Sequence, residues 1–195
     1  MILWIRQNLS MFKLIEWNEN LNLEDFYIEA SRRGFINNSS QKYMIDCFRN
    51  EKKWNVWILY KDNKPVGSVA AHTFDDVMGL NSFRILTRVC TFGEFGLQKG
   101  LTTPRKLIIE HQNLTDQYLL PKCIEWAGTN NIYATSNDSS IASQRLVHKI
   151  YFPTLEKIGL VTRTKEIFYR GINQTVWEIH GTKFLNHLAQ YPKLN

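Results

Sequence analysis

The chain has 195 residues, enough for one compact domain and too few for two of ordinary size. Apolar residues make up 44% and charged ones 22%, ordinary globular usage that excludes a disordered or collagen-like chain. Lys plus Arg outnumber Asp plus Glu by 24 to 18, and this net charge of +6 suits an anionic partner.

The basic residues come only in short groups, such as Arg32-Arg33, Lys52-Lys53 and Arg105-Lys106. That pattern argues for a phosphate-bearing small molecule and against a polynucleotide. Cys47, Cys90 and Cys123 stand among apolar neighbours, 43 and 33 residues apart, which fits neither a disulfide framework nor paired zinc ligands. They read as buried thiols of a cytoplasmic protein. Only five apolar residues precede Arg6, too few for a signal-peptide core, and no run is long enough to cross a membrane. The whole chain, 1–195, is expected to be one domain, with 1–10 as an upstream extension before Met11.

In chain order, a strand is predicted over Phe12 to Trp17, and the polar 18–22 segment caps a helix whose stripe is Leu23, Phe26, Tyr27 and Ala30. A second helix follows Asn37-Asn38-Ser39-Ser40, with Tyr43, Met44, Cys47 and Phe48 on one face. The period then changes to two, predicting strands over Trp54 to Lys61, Val66 to Phe74 and Phe83 to Phe92, a three-strand meander. A glycine-bearing segment, Gly93 to Thr103, leads to a helical face of Leu119, Leu120, Cys123, Ile124 and Ala127. A strand at Asn131 to Ser136 and a long helix over Ile141 to Ile158 come next, the helix carrying Leu146, Val147, Ile150, Tyr151, Leu155 and Ile158 and kinked at Pro153. A hairpin, Val161 to Gly171 with Gln174 to His180, and a last helical turn from Phe184 to Ala189 complete the chain. The fold class is thus α/β, in the sense of a mixed α+β arrangement: six or seven largely antiparallel strands flanked by about four helices.

Gly93, Gly96 and Gly100 lie in one loop, where backbone amides can converge on a phosphate because no side chain blocks their approach. Lys99, Arg105 and Lys106 add positive charge there. The five histidines show no metal-ligand spacing, and each is read as structural. No metal is expected.

The order of elements, together with Arg88-Val89-Cys90-Thr91-Phe92-Gly93-Glu94-Phe95-Gly96 and Leu155-Glu156-Lys157-Ile158-Gly159-Leu160, resembles the GNAT superfamily of acetyl-CoA-dependent N-acyltransferases over roughly residues 12 to 180. The family's Gln/Arg-x-x-Gly-x-Gly/Ala loop is replaced here by Gly96-Leu97-Gln98-Lys99-Gly100-Leu101-Thr102. The resemblance implies a site for acetyl-CoA, or another short acyl-CoA, made by Thr91, Phe92, Gly93, Gly96, Gln98, Lys99, Gly100 and Asn137. Asn137 and Gly159 are 22 residues apart, twice the family's usual spacing, adding about three helical turns at 3.6 residues per turn. The family's general-acid tyrosine would fall at Leu155 counted back from Gly159, or at Gln144 counted forward from Asn137. Tyr151 shares the helix face of both and is the substitute, although it also belongs to the apolar stripe.

Glu94 is the candidate base for the incoming amine, with a solvated loop carboxylate as its plain alternative. The implied activity is direct acetyl transfer to a primary amine on a small molecule or peptide. Phe35, Tyr43, Tyr169 and Trp177 would shape the acceptor pocket, with Asp75 and Asp76 at its rim. The competing reading is a non-catalytic acyl-CoA-binding or nucleic-acid-associated module of the same fold.

Overall fold

Among the described residues, runs rich in β-branched and aromatic residues build seven strands: β1 (Phe12–Glu16), β2 (Trp54–Lys61), β3 (Lys64–Phe74), β4 (Phe83–Thr91), β5 (Ile132–Ser136), β6 (Val161–Tyr169) and β7 (Ile172–Ile179). They form one sheet in the order β1-β2-β3-β4-β5-β7-β6. Every neighbouring pair is antiparallel except β4 with β5, so the mixed, largely antiparallel sheet read from the sequence is the one observed. The structure, a computed structural model, describes residues 12–16, 54–62, 64–74, 83–91, 113–138, 145, 147–169 and 171–190. The two helices expected between β1 and β2, the glycine loop after β4 and the 1–10 extension lie outside these residues.

The hairpin between β2 and β3 is tighter than expected. Lys61 already pairs with Lys64, and Asp62 takes a positive φ of 49°, which an aspartate tolerates better than most residues. Trp57 and Leu59 of β2, with Val69 and Ala71 of β3, join one core, while Val56, Ile58, Ala70 and His72 are buried on the opposite face. A strand buried on both faces reads as a continuous apolar run, which is why Val56 to Leu59 shows no polar alternation.

Three helices among the described residues cover the first face. In α1, a π-helical turn, Thr115–Leu119, runs directly into an α-helix, Leu120–Trp126. Leu119, Leu120, Cys123, Ile124 and Ala127, the face expected from their spacing, are all completely buried. Burial pushes the Cys123 thiol up, so it stays protonated as a small apolar group. In α2, a π-helical turn, Val147–Tyr151, likewise runs into Phe152–Lys157, and α3 is Gly181–Leu188. Among the described residues no helix is long and apolar enough to cross a membrane.

Pro121 and Pro153 each stand in the first turn of the α-helical part, directly after the π turn. Proline has no N–H to offer the carbonyl four residues back, and a widened turn takes up the missing bond. The expected disturbance at Pro153 therefore takes the form of a π turn before it. The stripe expected on this helix is corrected in part. Tyr151 and Leu155 are buried, but Ile150 and Ile158 are 44% and 54% exposed, and Phe152 takes the inward place. Phe152 stacks on Trp177 of β7, with ring centroids 5.2 Å apart and planes at 20°. Ile158 turns outward because α2 ends there. Gly159, at φ 75°, donates to the Glu156 carbonyl and Leu160 to that of Leu155, a Schellman cap with Leu155 and Leu160 both buried.

The last helix starts a turn earlier than its apolar pattern suggests, at Gly181. A Cβ there would lie 2.6 Å from the Thr129 carbonyl oxygen and 2.9 Å from the Ile124 side chain, so only glycine lets this helix end sit against the loop after α1. Replacing Gly181 by Ala should destabilise the fold by about 1–3 kcal/mol through overpacking, measurable as a lower urea midpoint at unchanged slope.

Candidate functional site

β4 and β5 touch through two residue pairs, Ile85 with Tyr133 and Leu86 with Ala134. Each strand stays paired on its other side: β4 runs with β3 out to Thr91, and β5 runs with β7 out to Ser136. Between Leu86 and Arg88 the β3–β4 register slips by one, leaving Thr87 as an extra residue, a bulge at the point where β4 leaves β5. A bulge bends its strand, and that bend opens the sheet into a cleft. The parting begins after Leu86, five residues before β4 ends at Thr91, because the bulge at Thr87 turns the strand there.

Thr91 is thus the last paired residue on one lip of the cleft. Phe92, Gly93, Glu94, Gly96, Gln98, Lys99 and Gly100 lie outside the described residues. On the other lip, β5 ends in Ser136 and is followed by Asn137 and Asp138. Asn137 is buried, and among the described residues its Oδ1 has no hydrogen-bond partner. A buried amide carbonyl without a donor loses free energy that a ligand N–H can restore.

Ser136 and Trp177 sit on the helix-covered face, and the Trp177 indole donates to Ser136 Oγ at 2.8 Å. Ser136 Oγ lies 3.0 Å from Nδ1 of His148 in the π turn of α2. Trp177, expected in the acceptor pocket, is 3% exposed and packed in the core, where it anchors this serine. Asp138 is gripped by Lys149 at 2.8 Å and Arg145 at 4.0 Å, and the Lys149 hydrogen bond leads in holding its carboxyl below the usual range.

Tyr151, the nominated acid, is 6% exposed and donates its hydroxyl to Asp116 Oδ1 in the π turn of α1. This bond joins the helix lying over β2, β3 and β4 to the helix that continues from β5. Burial pushes Asp116 up to about 7 against the lowering effect of the Tyr151 hydrogen bond, and burial first, then the Asp116 charge, drives the Tyr151 phenol well above its usual range. Asp116 and His148 were missed in the sequence because each is a single polar residue with no motif around it. Only His148 left a trace, lying four residues after Gln144 and three before Tyr151 on the face already singled out.

No protein-family model matches the sequence, and no curated protein matches it significantly. Solved structures do match its fold. A protein from Desulfovibrio desulfuricans assigned to the GNAT family of acetyltransferases is 11% identical, with 86% of this chain and 99% of that one covered at a TM-score of 0.51. The aminoglycoside 6'-N-acetyltransferase from Enterococcus faecium is 13% identical, covering 85% and 95% at 0.51. An uncharacterised Bacillus halodurans protein is 9% identical, covering 92% and 89% at 0.56. The chain therefore has the GNAT fold, as the order of its elements implied.

Asp116 binds a proton in the folded protein at pH values where the unfolded chain has released it, so its contribution is greatest at low pH and is lost as pH rises from about 4 to about 7. Relative to Asp116→Asn, the wild type should lose up to about 4 kcal/mol across that window, measured by urea unfolding at a series of pH values.

Proposed function

We propose that the protein is an N-acyltransferase that moves an acetyl group from acetyl-CoA to a primary amine by direct attack. The observation that carries this reading is the parting of β4 from β5 beyond Leu86 and Ala134. Among the described residues no strand pairs with the β5-facing edge of 87–91, so an extended ligand bearing amides has an open edge to join. The Asn137 carbonyl, buried at the opposite lip and without a donor among the described residues, fits an amide N–H of such a ligand. In this reading Thr91, Phe92 and Asn137 hold the pantetheine arm, and Gly93, Gly96, Gln98, Lys99 and Gly100 surround its pyrophosphate.

An alkylammonium acceptor has a pKa near 10.4, so presenting it as a neutral amine at pH 7 costs about 4–5 kcal/mol. Glu94 is the proposed base for that step. Tyr151 is the proposed acid for the departing thiolate, and its hydroxyl must exchange Asp116 for sulfur to act. The acceptor is proposed to be a small-molecule or peptide amine. A specific observation also favours a second reading, an acyl-CoA-binding protein without turnover: the phenol nominated as acid is already committed to Asp116.

Calorimetry with acetyl-CoA and with CoA should show binding to the wild type, and Asn137→Leu should weaken it about tenfold, the loss of one hydrogen bond. Absence of heat at millimolar ligand would end both readings. With an amine panel and a thiol-release assay, Glu94→Gln should move the pH profile of turnover upward. Binding without thiol release would select the second reading.

A further inference from the structure

We infer that the Asp116–Tyr151 pair is a pH-sensitive latch between the two blocks of the sheet, closed at acid pH and opening locally as pH rises towards neutrality. The link runs from block to block. The π turn of α1 packs on β2, β3 and β4, and its Tyr118 ring lies 4.9 Å from that of Phe12, at the same end of the sheet as Thr91. The π turn of α2 is tied to the other block, through His148 Nδ1 at 3.0 Å from Ser136 Oγ of β5 and through the neighbouring Phe152, stacked on Trp177 of β7. Asp116 and Tyr151 join the two turns, while in the sheet itself the blocks share only two residue pairs.

Tyr151 is buried and Asp116 half-buried, so the carboxyl is directed into the apolar layer with water one step away. A neutral carboxyl is stable there, whereas a carboxylate forfeits hydration that one phenol donor does not replace. Among the described residues no cation joins the pair. On α1, Tyr118 lies against Phe12 and Lys122 pairs with Glu125. On α2, His148 meets Ser136 and Lys149 holds Asp138. Lys61 of β2 lies over the Phe12 ring, β3 turns Val69 and Ala71 to this layer, and Arg88 of β4 is in register with Ala70 of the opposite face. The third helix, α3, meets α1 only beyond Leu120, at Ile124. Burial therefore outweighs the phenol bond and pushes the carboxyl up to about 7.

Once water reaches it, the carboxyl titrates near its ordinary 3.8. Closing thus binds a proton between these two values, and the open population rises by up to about tenfold per pH unit from about 4 to about 7, then levels off. The π turns let this opening stay local. Each is a widened turn that can tighten to α geometry, and each is followed by a proline that cannot bond back to it, so the turn is tied to the helix behind it by one bond fewer.

Hydrogen exchange on the full chain without ligand, from about pH 4.5 to about pH 8.5 and corrected for the intrinsic rate, tests the latch. Amides of 115–120 and 147–152 should exchange through a local opening that grows by up to about tenfold per unit and is flat above about pH 7, while those of 56–59 stay better protected. The Asp116 carboxyl carbon should titrate near 7 in the wild type and higher in Tyr151→Phe, because the phenol bond is what holds it down. Asp116→Asn, which keeps the shape and the acceptor, should leave both turns equally protected at every pH. Turns no less protected than 56–59 at every pH would mean that Asp116 meets water only on global unfolding, and would overturn the latch. A pH-dependent opening that persists in Asp116→Asn, or a wild-type carboxyl that titrates in the ordinary range, overturns it as well.

Discussion

Two residue pairs between β4 and β5 join the halves of this sheet, and the rest of the structure is arranged around that short seam. On one side β1 to β4 form a complete antiparallel block, and on the other β5, β7 and β6 form a second. Because each strand at the seam is paired with its outer neighbour along its length, apart from the bulge at Thr87, the parting leaves both blocks intact. The bulge at Thr87 aims β4 away from β5, and the cleft follows from backbone geometry before any side chain is considered.

The halves are held together by the layer of helices above the seam. Side chains such as Leu119, Leu120, Ile124 and Phe152 are buried almost completely, each contributing on the order of 1.5–3 kcal/mol. Within this apolar layer the Tyr151–Asp116 bond bridges the two blocks through their helices. A buried carboxyl is costly unless satisfied, and here a phenol satisfies it; the pair is therefore a directional link inside an otherwise non-directional core. Both partners sit in π turns, and both turns precede a proline. The backbone irregularities of α1 and α2 thus coincide with the polar contact between them.

At the carboxyl end of β5 three consecutive polar residues have three different surroundings. Ser136 is bonded inward to the core through Trp177, Asn137 is buried with an acceptor that no described residue fills, and Asp138 is exposed in a basic clasp. The alternation of a strand explains the first contrast, and the exit of the chain from the sheet explains the last. Strand ends of this kind place differently oriented groups within a few ångströms on rigid supports, which is where ligand chemistry gathers in sheets with a parallel crossover.

Where the chain is described, its elements are legible in the local sequence. Period-two runs gave the strand positions to within a residue or two, the stripe of Leu119 to Ala127 marked the buried face of α1, and Gly159 ended α2, because each of these depends on neighbours in the chain. The element order was enough for the GNAT resemblance. Tertiary structure alone decided the contacts that cross the seam. Nothing near Asp116 in the chain indicates that its carboxyl meets Tyr151, 35 residues away, and nothing near His148 indicates that a serine from β5, itself pinned by a tryptophan from β7, orients its ring. Likewise, Phe152 displaces Ile150 from the core because Trp177 offers it a ring to stack on, a partner invisible to helical periodicity. Local pattern reports which side of an element faces inward; which groups meet there depends on how the two blocks of the sheet and the helices above them are brought together.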